Sequence, residues 1–278
     1  MKIAYFSSIQ DSGRVGFQKD GIPFSGVMDQ YSYKLGNTIL GNQNDCAVIE
    51  FTLPGSKLQF EKETTIVITG ADFSPTINNI SVSNNSLIQI NAGDILSFDK
   101  HHYGNRCYLS IKGGFNSEYI LGSRSMYQNI TKHSTIVKGD LIPYNQTPQI
   151  NLNSKIKVLN LFFDDITIEV FKGPEFDLLP EKLRKRLASD IFTISKINNR
   201  MAYQLNELLH NELPSIITSP VLPGTVQLTP NGQLIILMRD CQTTGGYPRV
   251  LQLSENSINM LAQKATNNPI HFKLTDIT

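Results

Sequence analysis

The sequence has almost no excess of either charge: 25 Lys and Arg stand against 24 Asp and Glu, a formal net charge of +1. A nucleic-acid or anionic-membrane partner normally demands a basic excess, so neither is expected. Cysteine is scarce as well. The three cysteines, Cys46, Cys107 and Cys241, lie far apart; they provide neither a zinc-ligand spacing nor a disulfide framework and point to reduced thiols in a cytosol. Long apolar runs are missing. Runs such as Val158–Phe163 and Leu234–Met238 have the length of strands, far below the roughly 20 residues that span a bilayer. The opening MKIAYFSSIQDSG lacks the apolar core of a signal peptide. A cytoplasmic, soluble chain is expected.

Familiar catalytic machinery is also missing. No GxxxxGK[ST] occurs, which excludes a P-loop nucleotide site, and no GxGxxG or GxSxG stands in a strand–turn–helix setting. His101 and His102 are adjacent, so on a strand they point to opposite faces. His133, His210 and His271 are isolated, and no metal site is expected. Cys241 has no histidine close in sequence to activate it as a nucleophile.

What is present is a globular chain of 278 residues, 40% hydrophobic and 18% charged, long enough to bury a sizeable core. Short β-branched and aromatic runs bounded by Gly, Asn, Asp or Pro dominate it. Strands are predicted at Leu58–Phe60, Thr65–Thr69, Leu87–Ile90, Ile95–Phe98, Arg106–Ile111, Lys155–Leu161, Gln227–Leu228 and Leu234–Met238. Helical periodicity is limited to Met28–Leu40, Pro180–Leu187, which begins on a first-turn proline, and Ser257–Ala265, preceded by capping groups at 254–256. The pattern is mainly β, of the barrel or sandwich kind. The polar stretch YNQTPQINLNS at 144–154 lacks apolar periodicity and places a boundary between lobes of residues 1–147 and 148–278.

Two clusters could hold chemistry. The first runs Gln10-Asp11-Ser12-Gly13-Arg14-Val15-Gly16, then Gly21, Ser25-Gly26 and Asp29. Its glycines permit positive-φ turns. Asp11 and Asp29 could serve as bases, and Arg14 could clamp a carboxylate or phosphate. The alternative is a glycine-rich turn before a helix whose first turn Asp29 serves. The second cluster includes Gln227 and then Asp240, followed by Thr243-Thr244-Gly245-Gly246-Tyr247. There a strand delivers polar groups into a Gly-Gly turn that is either an anion nest or a tight hairpin. A third segment places Arg124 among small residues after Leu121-Gly122-Ser123.

Together, IQDSGRVGFQKDGIPFSGVMDQYSYKLGNTILGN at 9–42, YLSIKGGF…LGSRS at 108–125 and LPGTVQLTPNGQLIILMRDCQTTGGYPRV at 222–250 resemble the biotin-dependent carboxyltransferase-like family. Its members include the C subunit of bacterial 5-oxoprolinase (KipA, or allophanate hydrolase subunit 2-like proteins) and a module of urea amidolyase. The resemblance implies two cyclophilin-like β-barrel lobes with a few short helices. It implies a KipI-like sister chain (the B subunit of 5-oxoprolinase), a third lactam-hydrolysing chain, and ATP-dependent opening of 5-oxoproline to glutamate, with ATP held in the assembled enzyme. On that reading Arg14, Arg124 and the Gly245–Gly246 turn meet phosphate charge, and Asp11, Asp29 or Asp240 serves the attacking water. Gln10, Ser25, Gln227, Thr243, Thr244 and Tyr247 join the substrate-binding set.

The family also admits carboxyl transfer from carboxybiotin. No Ala/Val-Met-Lys-Met attachment motif is present, so this chain is expected to carry no covalent biotin. A regulatory chain that only binds its KipI-like sister is a third reading. The chain departs from the family's pattern at Asn199 and Ala202, where the family usually has an acid and a glycine, and in the 126–139 stretch. If those positions shape the substrate site, such departures imply altered substrate choice or lost activity; the intact blocks at 9–42 and 222–250 keep an active site as the expectation.

Overall fold

A computed structural model describes residues 6–148 and 163–276. They fall into two units, one of Met1–Arg14 with Ser25–Leu161, the other of Val15–Phe24 with Phe162–Thr278. The short segment Val15–Phe24 thus belongs with the C-terminal part, which a single cut at 147/148 does not provide. The strand expected at Lys155–Leu161 lies outside the described residues.

The first unit contains β1 (Ser7–Gln10), α1 (Gln30–Leu40), β2 (Val48–Thr52), β3 (Lys57–Gln59), β4 (Thr64–Asp72), β5 (Pro75–Ile77), β6 (Ile80–Ser81), β7 (Ile88–Ile90), β8 (Ile95–Phe98) and β9 (Tyr103–Ile111). Five of the strands form a sheet in the order β1-β2-β9-β4-β7, and the others form a second in the order β3-β8-β5-β6. Both sheets contribute to one core: Ile49, Phe51, Ile66, Ile68 and Leu109 come from the first, Leu58, Leu96 and Phe98 from the second. Phe98 joins them through ring contacts with Phe51 at 4.9 Å and Phe73 at 6.3 Å, spacings at which tilted aromatic pairs attract. Helix α1 lies on the five-stranded sheet against β4 and β9. Gly36 is required there, because an added Cβ would collide with Ser110 Oγ.

The second unit contains β10 (Thr167–Lys172), α2 (Glu181–Ser189), β11 (Ile191–Asn198), β12 (Ala202–Leu205), β13 (Ser219–Pro220), β14 (Thr225–Leu228), β15 (Leu234–Leu237), β16 (Thr244–Gly245), β17 (Arg249–Leu253), α3 (Glu255–Ala262) and β18 (Pro269–Leu274). Seven strands close a barrel, β10-β17-β14-β15-β12-β11-β18, with β18 returning parallel to β10. Alternation explains its core. Ile168 and Val170, Tyr203 and Leu205, Leu234 and Ile236, and Ile270 and Phe272 are buried, each pair two residues apart on its strand and so on the same face. β13 and β16 stand outside the barrel as a separate two-stranded ribbon.

The mainly-β class is as expected, with three α-helices among the described residues. Two of the three start on a side-chain cap and the third follows a proline. Asp29 accepts from Ser32 N at α1, Pro180 precedes α2, and Ser254 accepts from Ser257 N at α3. Barrel closure is found in the second unit, whereas the first is built from two sheets around a shared core.

Candidate functional sites in the two units

In the first unit the polar cluster is organised around Asp11. Gln10 ends β1 with its amide turned inward, donating to Ser8 Oγ at 2.9 Å and to the Met126 carbonyl at 3.3 Å. The next residue, Asp11, is buried. Its Oδ1 accepts from Gly13 N at 2.9 Å and from the Ser123 and Ser125 hydroxyls at 2.7 Å each; its Oδ2 accepts from Arg124 N at 2.5 Å. A carboxylate is acceptor-only; three of these four bonds hold the 123–125 segment to the end of β1, and the fourth closes the turn onto Gly13. The backbone closes the same arrangement. Val27 N donates to the Asp11 carbonyl at 3.0 Å, and a Cβ at Gly26, where φ is +83°, would press on Gly13.

Arg14, expected to stand open for an anion, is instead fully buried. It donates through Nε to the Ile120 carbonyl at 3.1 Å and through Nη2 to the Ser125 carbonyl at 2.9 Å. It holds the 120–125 stretch through these two carbonyls. Asp29 is likewise buried, with Oδ1 accepting from Ser32 N at 3.0 Å and Oδ2 from Ser32 Oγ at 2.6 Å, which is the helix-capping alternative. Its own N–H donates to the Tyr108 hydroxyl at 2.9 Å, whose phenol burial holds well above its ordinary pKa. Ser25 is buried with φ at +54°, and its Oγ has no hydrogen-bond partner.

Arg124 is the half-buried cation of this unit's cluster. It donates to the Ser117 carbonyl, and its guanidinium lies 5.3 Å from the centre of the Tyr119 ring. A polar cavity of about 330 Å³ opens beside it, lined by Asp11, Ser12, Asp45, Cys46, Asn116 and Arg124 among others. Burial pushes the Cys46 thiol up, so the cavity holds a protonated thiol and not a nucleophilic thiolate.

In the second unit Asp240 pairs with Arg200. Nε donates to Oδ2 at 2.8 Å and Nη2 to Oδ1 at 3.0 Å, the two-pronged geometry that only a guanidinium provides. Asn199, one of the departures from the family's pattern, accepts from Met201 N at 2.8 Å and Ala202 N at 3.1 Å. An aspartate would accept the same bonds. Ala202 sits in β12 paired with Leu237 and is not among the positive-φ residues, so its methyl costs no backbone strain there.

The Thr243–Tyr247 turn, which on sequence is an anion nest or a hairpin, is a ribbon. Thr244 and Gly245 pair with Pro220 and Ser219, Val221 N donates to the Thr243 carbonyl at 3.1 Å, and Ile216 N donates to the Gly246 carbonyl at 3.0 Å. Neither Gly245 nor Gly246 is among the positive-φ glycines, whereas a nest needs residues of opposite hand in succession. Beneath the ribbon lies Gln227 of β14. It is 2% exposed, its Nε2 has no partner, and a Cβ on Gly245 would collide with that nitrogen. Cys241 is buried beside the ribbon's base, its thiol pushed up to about 12 by burial. No cluster of three or more metal-ligating side chains occurs among the described residues, and no described helix is long and apolar enough to cross a membrane.

Asp11, Arg14, Ser25, Asp29 and Arg124 therefore belong to the first unit, and Gln227, Asp240 and Thr243–Tyr247 to the second. Sequence reading missed Ser123 and Ser125, whose alternation around Arg124 was the available signal. It also missed Arg200, whose partner lies 40 residues away, beyond any local pattern.

A closed barrel and a second β unit, each with a glycine-supported polar cluster, define a mainly-β protein. The chain belongs to the family described as carboxyltransferase domain, subdomain A and B, which it matches over residues 20–274. It is 28% identical over 278 residues to the C subunit of 5-oxoprolinase from Escherichia coli K12, covering 98% of this chain and 89% of that one. It is 42% identical over 123 residues to urea amidolyase of Lachancea kluyveri, covering 44% of this chain and 7% of that one. Among solved structures it resembles TTHA0988, with a TM-score of 0.86 at 22% identity over 97% of this chain, and the chain spans only 53% of that protein's length. The fold likeness extends to the K. lactis urea amidolyase, with a TM-score of 0.84 at 27% identity over 97% of this chain; there the chain spans 18% of the larger protein.

Proposed function

We propose that this chain is one subunit of an ATP-dependent 5-oxoprolinase, acting in the cytoplasm with a KipI-like sister chain and a third, lactam-hydrolysing chain. The observation that carries this reading is extent: the similarity to the C subunit of 5-oxoprolinase runs through both units and most of that protein. In the reaction, the γ-phosphoryl group of ATP passes to the lactam oxygen and ADP leaves. Water adds to the activated carbon, and the ring nitrogen departs with a proton to give an acyl phosphate. A second water then releases phosphate and L-glutamate. Such chemistry needs cations and donors for developing phosphoryl charge and a carboxylate for water. Within the first unit Arg124 offers the cation; within the second unit Asp240, more exposed than the buried Asp11 and Asp29, offers a carboxylate, and Asp11, Arg14 and Asp29 hold the loops in place.

The test is co-expression with the KipI-like and lactam-hydrolysing chains, followed by ATP-coupled conversion of 5-oxoproline to glutamate. The complex should turn over and the isolated chain should not. Normal turnover by the isolated chain overturns this reading. The higher local identity to urea amidolyase favours a second reading, carboxyl transfer from a carboxybiotin borne on another chain. Carboxylation of an amide nitrogen in the presence of a biotinylated carrier, without glutamate formation, would establish that one.

A further inference from the structure

The barrel contains a polar group that its own fold does not satisfy. Gln227 is on β14, a strand bonded on both sides, to β15 and β17. Its carboxamide leaves the barrel wall toward the β13–β16 ribbon and ends against Gly245. Nε2 is sealed from solvent and donates to nothing. A buried amide donor without an acceptor is an expensive choice where Leu or Met would pack, so its presence needs a reason outside folding.

The surroundings say what kind of acceptor fits. The cation opposite Gln227 in the ladder, Arg249, is bound to Glu175 through two bonds of 2.9 and 2.8 Å and donates its remaining Nη1 to the Pro220 carbonyl at 3.0 Å. Arg200 is matched by Asp240 and Arg239 by Glu255. The cations near the ribbon are thus each cancelled by a carboxylate, so an anionic group would gain little. A neutral carbonyl oxygen needs only the N–H donors that Nε2 offers. The cover is light: the ribbon's ladder is two residue pairs long, outside the barrel, and its flanks leave Ile217 91% exposed and Leu222 61% exposed. Short elements with few buried contacts open at low cost.

We propose that Gln227 is a ligand-reading residue of the second unit, whose Nε2 donates to the carbonyl oxygen of a neutral amide or lactam admitted when the β13–β16 ribbon lifts. This rests on the amide-processing reading above but does not depend on which amide reaction the chain serves. Gly245 is part of the device, since any side chain there would occupy the place of the carboxamide.

The decisive comparison is the full-length chain against Gln227→Met, which keeps the length of the side chain and removes the donors. The probes are 5-oxoproline, 2-pyrrolidinone, which keeps the lactam without a carboxylate, and L-proline, which keeps the carboxylate without the lactam carbonyl. Titration calorimetry should find the two lactams bound by the natural chain, L-proline not bound, and both lactams weakened about five- to tenfold by Gln227→Met. The melting temperature of Gln227→Met should equal or exceed that of the natural chain, because an unsatisfied donor has been removed. Unchanged lactam binding, a lower melting temperature, or no lactam binding by the natural chain overturns the assignment. Binding of 2-pyrrolidinone but not 5-oxoproline, still dependent on Gln227, would retain Gln227 as the amide reader while removing 5-oxoproline as the substrate.

Discussion

Arg200 and Asp240 grip each other through two hydrogen bonds of 2.8 and 3.0 Å, and Asp240 N also donates to the Arg200 carbonyl at 2.9 Å. The turn after β11 is thereby bonded to the segment that leads into the β13–β16 ribbon. Both side chains are less than one-fifth exposed, a setting between a solvated surface pair and a buried one. Arg200→Ala and Asp240→Ala should each lower stability by about 1–3 kcal/mol. The double variant should lose less than the sum, a coupling that urea unfolding of all four proteins measures.

Arg14 is predicted to be a folding residue. Arg14→Ala removes two charge-assisted bonds and leaves the Ile120 and Ser125 carbonyls short of a donor, at a cost of about 3 kcal/mol. Chemical denaturation should show that loss in the isolated chain. A variant as stable as the natural chain would return Arg14 to the ligand-binding role that its sequence setting suggests.

Ser25 should behave in the opposite way. Its left-handed φ and unpartnered hydroxyl both work against the fold. Ser25→Gly is expected to keep or raise stability by about 1 kcal/mol. If turnover of the assembled enzyme falls at the same time, the hydroxyl serves a ligand and not the fold.

The Glu175–Arg249 pair implies a pH dependence. Hydrogen bonds from Arg249 hold the Glu175 carboxyl below the usual glutamate value. The folded-state pKa is therefore lower than the unfolded one, so the pair's stabilisation is complete above the unfolded pKa and is lost as pH falls through the folded value. Thermal melts should show destabilisation below about pH 4.5, near the unperturbed glutamate pKa. Glu175→Gln should be less stable at neutral pH and lose less on acidification.

Gly245→Ala tests the steric half of the ribbon site. Gly245 has no positive φ to relieve, so the principal cost is collision with Gln227 Nε2. Faster amide hydrogen exchange is expected at Thr244 and Ser219, with exchange in the barrel strands unchanged.

What sequence alone could settle was whatever local chemistry controls. The existence of α1, α2 and α3 was legible, with Asp29 and Ser254 capping two of them, because a cap acts within one helical turn; their first residues lie one or two away from Met28, Pro180 and Ser257. Ile95–Phe98 and Leu234–Leu237 were legible because an apolar β-branched run between turn residues has few other uses. Even the capping alternative for Asp29 was readable. Barrel strands such as Thr167–Lys172 and Pro269–Leu274 were not, because polar residues on the outward face dilute a six-residue signal and their parallel pairing joins segments about 100 residues apart. The same distance limit governs the candidate sites. Arg14 and Gln227 are both polar residues in glycine-rich surroundings, and nothing local tells them apart. Only the packed structure does, placing two carbonyls against the guanidinium of one and no acceptor against the amide nitrogen of the other.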